Sequence, residues 1–402
     1  NAGIAGSICG DRRVRTFISQ LMETGRWSSS RPPLQNISKR REAEYKRILG
    51  SAYGHAIRSI FQASPGHVFI EADFKGAELY GMAIMSGDEV MIEHAQRGLL
   101  NEDDPLYYDI HSNIAVLAFK FDCPPTKPGL DSIGKGHMRI VAKSVVFGIA
   151  YGRGAKAIAL AAREDGVNVT VEEAQKIIDT VFAMYPKLQP FFEECRGRAV
   201  TQKLEYGEEA IAPRWLCNCY GRYRRFGWTD ERQLMGDFER EAMNFPIQSM
   251  IADAMSHAVY NVWKYRNEAK MGFKIVLQIH DALLLEVPYA EVPHVIDYVL
   301  PEVMCKSVPI WPCSLDGMPL PCDKPYYLGV DKEISTNWGD MMFPDQHLAL
   351  GVDPKYSHWR YLKKRQAWKH ETKSGPFKTK DGSGQVLKLW RDGRWFEEAV
   401  AV

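Results

Sequence analysis

FKIVLQIHDALLLEVP, residues 273–288, reads as two apolar strands of about five residues each, joined across Gln278 to Ala282. The tip of that hairpin carries His280 and Asp281. Far upstream, the turn Ser64-Pro65-Gly66 leads into HVFIEADF, residues 67–74, whose alternation predicts a half-buried strand ending at Asp73. Each aspartate thus closes an apolar strand, and helical patterns fill the chain between them. A lone aspartate at a strand end is usually a turn or cap residue. The pair acquires another meaning only from its surroundings.

RIVAKSVVFGIAYG, residues 139–152, sets Arg139, Lys143, Phe147 and Tyr151 at four-residue steps inside a proline-free helix expected from about Met138 to Ala162. Such steps drift only about 40° each and keep the side chains in one stripe. Two cations one turn apart suit phosphate oxygens, and the aromatic residues beyond them suit a base. An amphipathic helix with core aromatics and solvated cations fits the same spacing. Further helices are expected over AELYGMAIM, residues 77–85, over IHSNIAVLAF, residues 110–119, and from Thr170 to Met184. The polar, aromatic stretch Trp215 to Thr229 reads as an exposed hairpin or loop. A long helix from about Gln233 to Tyr265 should kink or break at Pro246.

With 402 residues, 45% of them apolar, the chain can build two or three lobes. No apolar run reaches the length of about 18 residues that spans a membrane, and the start lacks a secretory leader. A soluble, intracellular protein with no membrane partner is expected. The first residue is Asn1, which suggests that the sequence begins within a longer polypeptide. The eight cysteines are scattered, and the closest pair, Cys217 and Cys219, is spaced for reduced structural thiols rather than zinc. A net charge of +1 is no advertisement for nucleic acid, yet basic residues cluster at Arg12, Arg13 and Arg15, at Lys39 to Arg41, and at Arg222, Arg224 and Arg225. Each cluster reads equally as a solvated face. After Asp340, WRYLKKRQAWKH and LKLWRDGRWF mix tryptophan with base.

Carboxylates on stiff strand ends can hold the paired divalent ions of an in-line displacement at phosphorus, about 3.5–4 Å apart. Here the residues resemble an ordered set. TGRWSSSRPPLQNI (24–37), EADFKGAEL (71–79), RIVAKSVVFGIAYG (139–152), EREAMNFPIQ (239–248) and QIHDALLLEV (278–287) resemble, in order, the motifs of family A DNA polymerases, the bacterial DNA polymerase I and phage group. The resemblance spans roughly Thr24 to Asp340. It implies an α+β right-hand fold with an antiparallel palm sheet and helical fingers. The activity implied is template-directed DNA synthesis from dNTPs on a primer 3′-hydroxyl, with pyrophosphate release.

Carried over by position, the resemblance makes Asp73 and Asp281, with the Phe74 carbonyl, the ligands of two Mg²⁺ ions, for which Mn²⁺ can substitute. Glu78 would be the gate against a ribose 2′-hydroxyl. Arg139, Lys143 and His111 would grip the triphosphate, with Lys143 also protonating the leaving pyrophosphate. Phe147 would pack on the incoming nucleotide, and Tyr151 and Gly152 would lie under the templating base. Arg26, Arg240, Asn244, Gln248 and His280 would touch primer-template DNA. The implied organisation is a remnant of an upstream segment at 1–23, palm at 24–78 and 236–340, fingers at 79–235, and a basic, tryptophan-rich extension at 341–402.

The chain departs from the family pattern at Lys75, Gly76 and Ala77, at Tyr80, and at Ala282, where a carboxylate usually follows the aspartate. The helical thumb and any proofreading exonuclease are also missing, so a larger or split polymerase with a separate or upstream thumb and exonuclease polypeptide is expected. Two alternatives stand beside this reading: a non-catalytic DNA-binding or assembly subunit, motivated by Ala282, and a single-subunit RNA polymerase relative, disfavoured by Glu78 and Phe147. The expected location is cytoplasmic, in a nucleoid or a phage-infected cell, with an organelle as the other option. Replication and repair are both open.

Overall fold

In a computed structural model of the chain, the structure describes residues 4–37, 56–164, 168–200, 212–339 and 341, with short strand segments at 202–203, 209–210, 377–380, 386–391 and 394–396. Its strands in chain order begin with β1 (Phe17–Ser19), β2 (Ser28–Ser30) and β3 (His67–Lys75). There follow β4 (Gln202–Lys203), β5 (Glu209–Ala210), β6 (Trp215–Cys217), β7 (Tyr223–Arg225), β8 (Lys274–Ile279), β9 (Ala282–Pro288) and β10 (Gly329–Ser335). The central sheet runs β10-β3-β9-β8, every neighbour antiparallel. The fold is α+β, as the sequence predicts.

Alternation along β3 gives the sheet two faces. Val68, Ile70, Ala72 and Phe74 join Leu283, Leu285 and Val287 of β9 in the main core. Phe69 points the other way, into a smaller cluster with Leu34, Leu277, Ile279, Leu284 and Trp338. That second face also carries Glu71 and Asp73, so one surface of the sheet changes from apolar to acidic along a single strand.

The helices between β3 and β4 include α1 (Ala77–Ser86), α2 (Glu89–Gly98), α3 (Ile110–Phe119), α4 (Gly136–Ala150), α5 (Ala155–Glu164), α6 (Val171–Met184) and α7 (Leu188–Ala199). Their caps follow from sequence: Asp88 and Asp109 accept bonds at the starts of α2 and α3, and Thr170 forms a capping box with Glu173. Val141, Val145, Val146 and Ile149 turn one face of α4 into the core beside Ile114 and Ile177, which leaves Lys143 exposed on the opposite face.

One helix expectation is corrected, and in a second the expected break does not occur. The helix expected from Met138 to Ala162 stops at Ala150 and restarts at Ala155. Gly152 takes a left-handed φ of 65°, and the Arg153 amide donates back to the Gly148 carbonyl at 3.0 Å, closing α4 with a left-handed glycine just after its C-cap. Conversely, α8 (Arg232–Glu268) runs unbroken through Pro246. Burial of Phe245, Pro246, Ile247, Met250 and Ile251 holds that turn in place against the proline's lost donor.

The hairpin expected between Trp215 and Thr229 is the β6–β7 pair. The basic cluster at Arg222 and Arg224 is spent on structure: Arg222 pairs with Asp253 at 2.7 Å, and Arg224 with Glu23 at 2.8 Å and Glu241 at 2.7 Å. Lys39 to Arg41 and the tryptophans at 359 and 368 lie outside the described residues. Among the described residues, no helix is long and apolar enough to cross a membrane.

Candidate active site

Antiparallel register brings the two aspartates together. Asp73 lies opposite Ala282 on β9, one residue beyond Asp281, and the Phe74 amide donates to the Asp281 carbonyl at 3.1 Å. The turn holding Asp281 is tight: His280 adopts a left-handed φ of 51°. It is braced from the amino-terminal segment, where buried Gln35 donates to the Gln278 carbonyl at 2.7 Å and its side-chain oxygen at 3.0 Å. Gln278 in turn donates to the His280 carbonyl. Gln35 was not singled out from sequence, although it lies within the TGRWSSSRPPLQNI stretch.

Asp73 keeps a solvent-facing edge but is otherwise largely surrounded by protein, in an acidic setting. Its carboxyl is pushed up to about 7, first by the surrounding protein and then by Asp281, Glu71, Asp331 and Glu333. Asp331 lies directly opposite Asp73 on β10. Sequence reasoning passed over it because the partner of a strand is a property of the sheet. The row Ala282, Asp73, Asp331 therefore lacks a carboxylate on one flank and has one on the other. Glu71 is the partnered acid of this face, since Trp338 donates to it at 2.8 Å and Arg58 lies 4.0 Å away.

Glu78, at the start of α1, accepts from the Tyr151 hydroxyl at 2.9 Å and from Gln248 at 2.6 Å. Burial, then the charge of Glu78, pushes the Tyr151 hydroxyl up to about 12, so it remains a donor. Arg26 reaches Asp281 at 3.2 Å and lies 3.8 Å from Glu78. The six residues Arg26, Asp73, Glu78, Tyr151, Gln248 and Asp281 thus come together.

The α4 stripe is already engaged with its surroundings. Arg139 donates through Nε to Asp109 at 2.7 Å. His111 is held down at about 3 by burial, with Lys143 and Arg139 adding to the effect, so it is a neutral imidazole near pH 7. Lys143 Nζ lies 5.6 Å from the centre of the Phe147 ring. Gly152 packs on α8, where an added Cβ would come within 3.0 Å of Met243 and 3.6 Å of Arg240. Arg240 itself pairs with Asp237.

Four buried polar atoms have no hydrogen-bond partner among the described residues: Arg26 Nε, His111 Nδ1, Asn244 Oδ1 and Gln248 Oε1. Each belongs to a residue that the sequence assigned to nucleotide or DNA. Leaving such a group unpaired costs about 1–3 kcal/mol, and native proteins rarely concentrate several of them without a ligand to meet them.

The sequence profile of DNA polymerase family A matches residues 5–339. The chain belongs to that family. DNA polymerase I of Chloroflexus aurantiacus is 34% identical over 291 residues, covering 70% of this chain and 25% of that protein. DNA polymerase I of Caldicellulosiruptor bescii is 32% identical over 276 residues, 69% of this chain and 28% of the relative. The chain therefore spans about a quarter of the length of these curated relatives. The POL domain of Pol1 from M. smegmatis, solved with DNA primer-template and dNTP, matches with a TM-score of 0.63 and 26% identity. That match covers 84% of this chain and 50% of the other.

Among the described residues of this family A chain, no three or more His, Cys, Asp or Glu side chains form a ready metal cage. The donor set nevertheless suits a hard divalent ion. Asp73 has no donor among the described residues, lies beside Asp281, and is pushed toward its protonated form first by burial and then by neighbouring anions whose charge a cation would offset. An open pair of carboxylates matches Mg²⁺, which keeps water and substrate phosphates in its shell.

Proposed function

We propose that this chain carries the palm and fingers of a DNA-dependent DNA polymerase, adding dNTPs to a primer 3′-hydroxyl and releasing pyrophosphate. The observation that carries the proposal is the meeting of Asp73 and Asp281 at one end of the β3–β9 pair, with Arg26 and Glu78 linking Asp281 to Tyr151 at the end of α4. Palm would comprise 24–78 and 236–340, and fingers 79–235, with 1–23 and 341–402 as flanking segments. The place of action would be the cytoplasm of a bacterial or phage-infected cell. Primer-template DNA and dNTPs are the partners, and a thumb and exonuclease polypeptide would complete the assembly.

Asp73, Asp281 and the Phe74 carbonyl would hold two Mg²⁺ ions, or Mn²⁺ in their place. Bound there, the ions supply activation of the primer hydroxyl and neutralisation of the leaving oxygen. Lys143, exposed on α4, grips the triphosphate and carries the proton for the departing pyrophosphate. Arg139 reaches phosphate with its Nη groups while Asp109 fixes its Nε. His111 contributes as a neutral donor rather than as a cation. Phe147 supplies the face on which the incoming nucleotide packs.

Glu78 crowds the sugar and is kept in place by Tyr151 and Gln248. Tyr151 and Gly152 would lie under the templating base. Arg26, Arg240, Asn244, Gln248 and His280 offer donors and acceptors to the minor-groove edge, where all base pairs present acceptors and shape is read without sequence.

Primer extension by wild type and Asp281→Asn tests the reading. Loss of synthesis with DNA binding retained is expected. Unchanged activity would leave the non-catalytic DNA-binding subunit as the better account. A preference for rNTPs would point to an RNA polymerase relative.

A further inference from the structure

Arg26 sits between two carboxylates that belong to different parts of the site. Its Nη2 lies 3.2 Å from Asp281 Oδ1 and 3.4 Å from Oδ2. The same nitrogen is 3.8 Å from Glu78 Oε1. Arg26 is 26% exposed, against 19% for Asp281 and 16% for Glu78, so bulk water screens these charges only in part. The guanidinium also has a buried Nε without a partner, and its donors are therefore not used up by its present pose.

Glu78 Oε1 is already crowded. It accepts from Tyr151 and Gln248, which also contact each other at 3.2 Å. Tyr151 is the C-cap of α4 and lies at the break before α5. A chain of polar contacts thus runs from the Asp281 turn through Arg26 and Glu78 to the end of the helix that carries Arg139, Lys143 and Phe147.

We propose that Arg26 is a positioning residue that couples metal loading at Asp281 to the end of α4. The inference rests on the reading of Asp281 as a metal-binding carboxylate. A divalent ion needs the Asp281 oxygens that Arg26 now engages, and two cations on the same oxygens repel. The nearest anion for the displaced guanidinium is Glu78. Arrival of Arg26 there adds a charged donor to an oxygen with two donors already, so the Tyr151 bond weakens and the α4 end is released. Metal occupancy and the grip on Tyr151 are opposite states of one shared cation.

Binding of Mn²⁺ alone, with neither DNA nor nucleotide, tests this through the loss of the free-ion electron paramagnetic resonance signal. The proteins compared are wild type, Glu78→Gln, Arg26→Gln and the double variant, with thermal melts as a check on folding. Glu78→Gln removes the place to which Arg26 retreats, so it should weaken Mn²⁺ binding about tenfold when Arg26 is present. With glutamine at position 26 the same change should matter less than about twofold. Equal weakening in both backgrounds would mean that Glu78 acts through its field alone, and the coupling is then overturned.

Tyr151→Phe gives a second measurement that does not depend on the double variant folding. It takes one donor from Glu78, makes room for Arg26, and should tighten Mn²⁺ binding about threefold. No change, or weaker binding, counts against the coupling. Asp281→Asn separates the two levels of the argument. Undiminished Mn²⁺ binding there removes the metal reading itself, whereas loss of binding together with equal Glu78→Gln effects removes only the role of Arg26.

Discussion

Asp73 and Glu286 occupy the same face of the same sheet and are opposite kinds of acid. Glu286, on β9, is 1% exposed and fully engaged. The Ser64 amide and hydroxyl donate to it at 2.9 and 2.8 Å, with Arg13 at 3.3 Å and Lys274 at 3.4 Å. Burial alone would raise its carboxyl, but the Ser64 bonds and the two cations outweigh that and bring it down to about 2. Asp73, at the other end of the sheet, has no such donors and is pushed up to about 7. An acid satisfied by its own chain fastens the fold, whereas one raised by burial and then by neighbouring anions suits a cation.

The largest expected effect comes from breaking the unsatisfied member. Asp73→Asn should lower primer extension by about a thousandfold or more, as removal of a principal stabiliser of transition-state charge does. The same substitution should raise the melting temperature in metal-free buffer, because it removes one of several clustered negative charges. A melting temperature that falls would show that Asp73 is structural after all.

Glu286→Ala should act in reverse. Stability should drop by about 2 kcal/mol in urea unfolding, since Ser64 loses its acceptor while Arg13 and Lys274 can turn to solvent. Specific activity well below the melting point should stay within about threefold of wild type. A larger loss of activity than of stability would place Glu286 in the site.

Acid should expose the same contrast. The folded value of Glu286 lies below its unfolded value of 4.5, so its contribution is fully present above about 4.5 and fades as pH falls toward 2. Unfolding free energies measured over that window should fall more steeply for wild type than for Glu286→Gln. Parallel curves would mean that the Ser64 and Arg13 contacts contribute nothing to the titration.

Much of this contrast was legible in the sequence because it rests on local pattern. HVFIEADF and FKIVLQIHDALLLEVP have the alternation of half-buried strands, and each aspartate sits where its pattern ends. What was not legible depends on pairing at a distance. Asp331 becomes a neighbour of Asp73 only through the β10–β3 register. Arg139 looked like a free cation until Asp109, thirty residues earlier, was found against it. His111 keeps no charge because it is buried, which no motif records. The apolar period of α4 continues past Ala150, so the pattern concealed the break that Gly152 makes. Glu286 meets Ser64 and Arg13 only through the fold, which no local pattern records.

The smallest effect separates the causes acting on Asp73. Burial is the first of them, and Asp331 is one of four acids that follow. Asp331→Asn removes a single like charge directly across the strand pair and leaves the enclosing protein unchanged. In the metal-free chain, carbon-detected titration of the Asp73 carboxyl should move from about 7 toward the ordinary aspartate range and stop well short of it. A full return to the ordinary range would make Asp331 the dominant cause and burial a minor one. No movement would mean that the two carboxylates, though opposite in register, turn their charges away from each other.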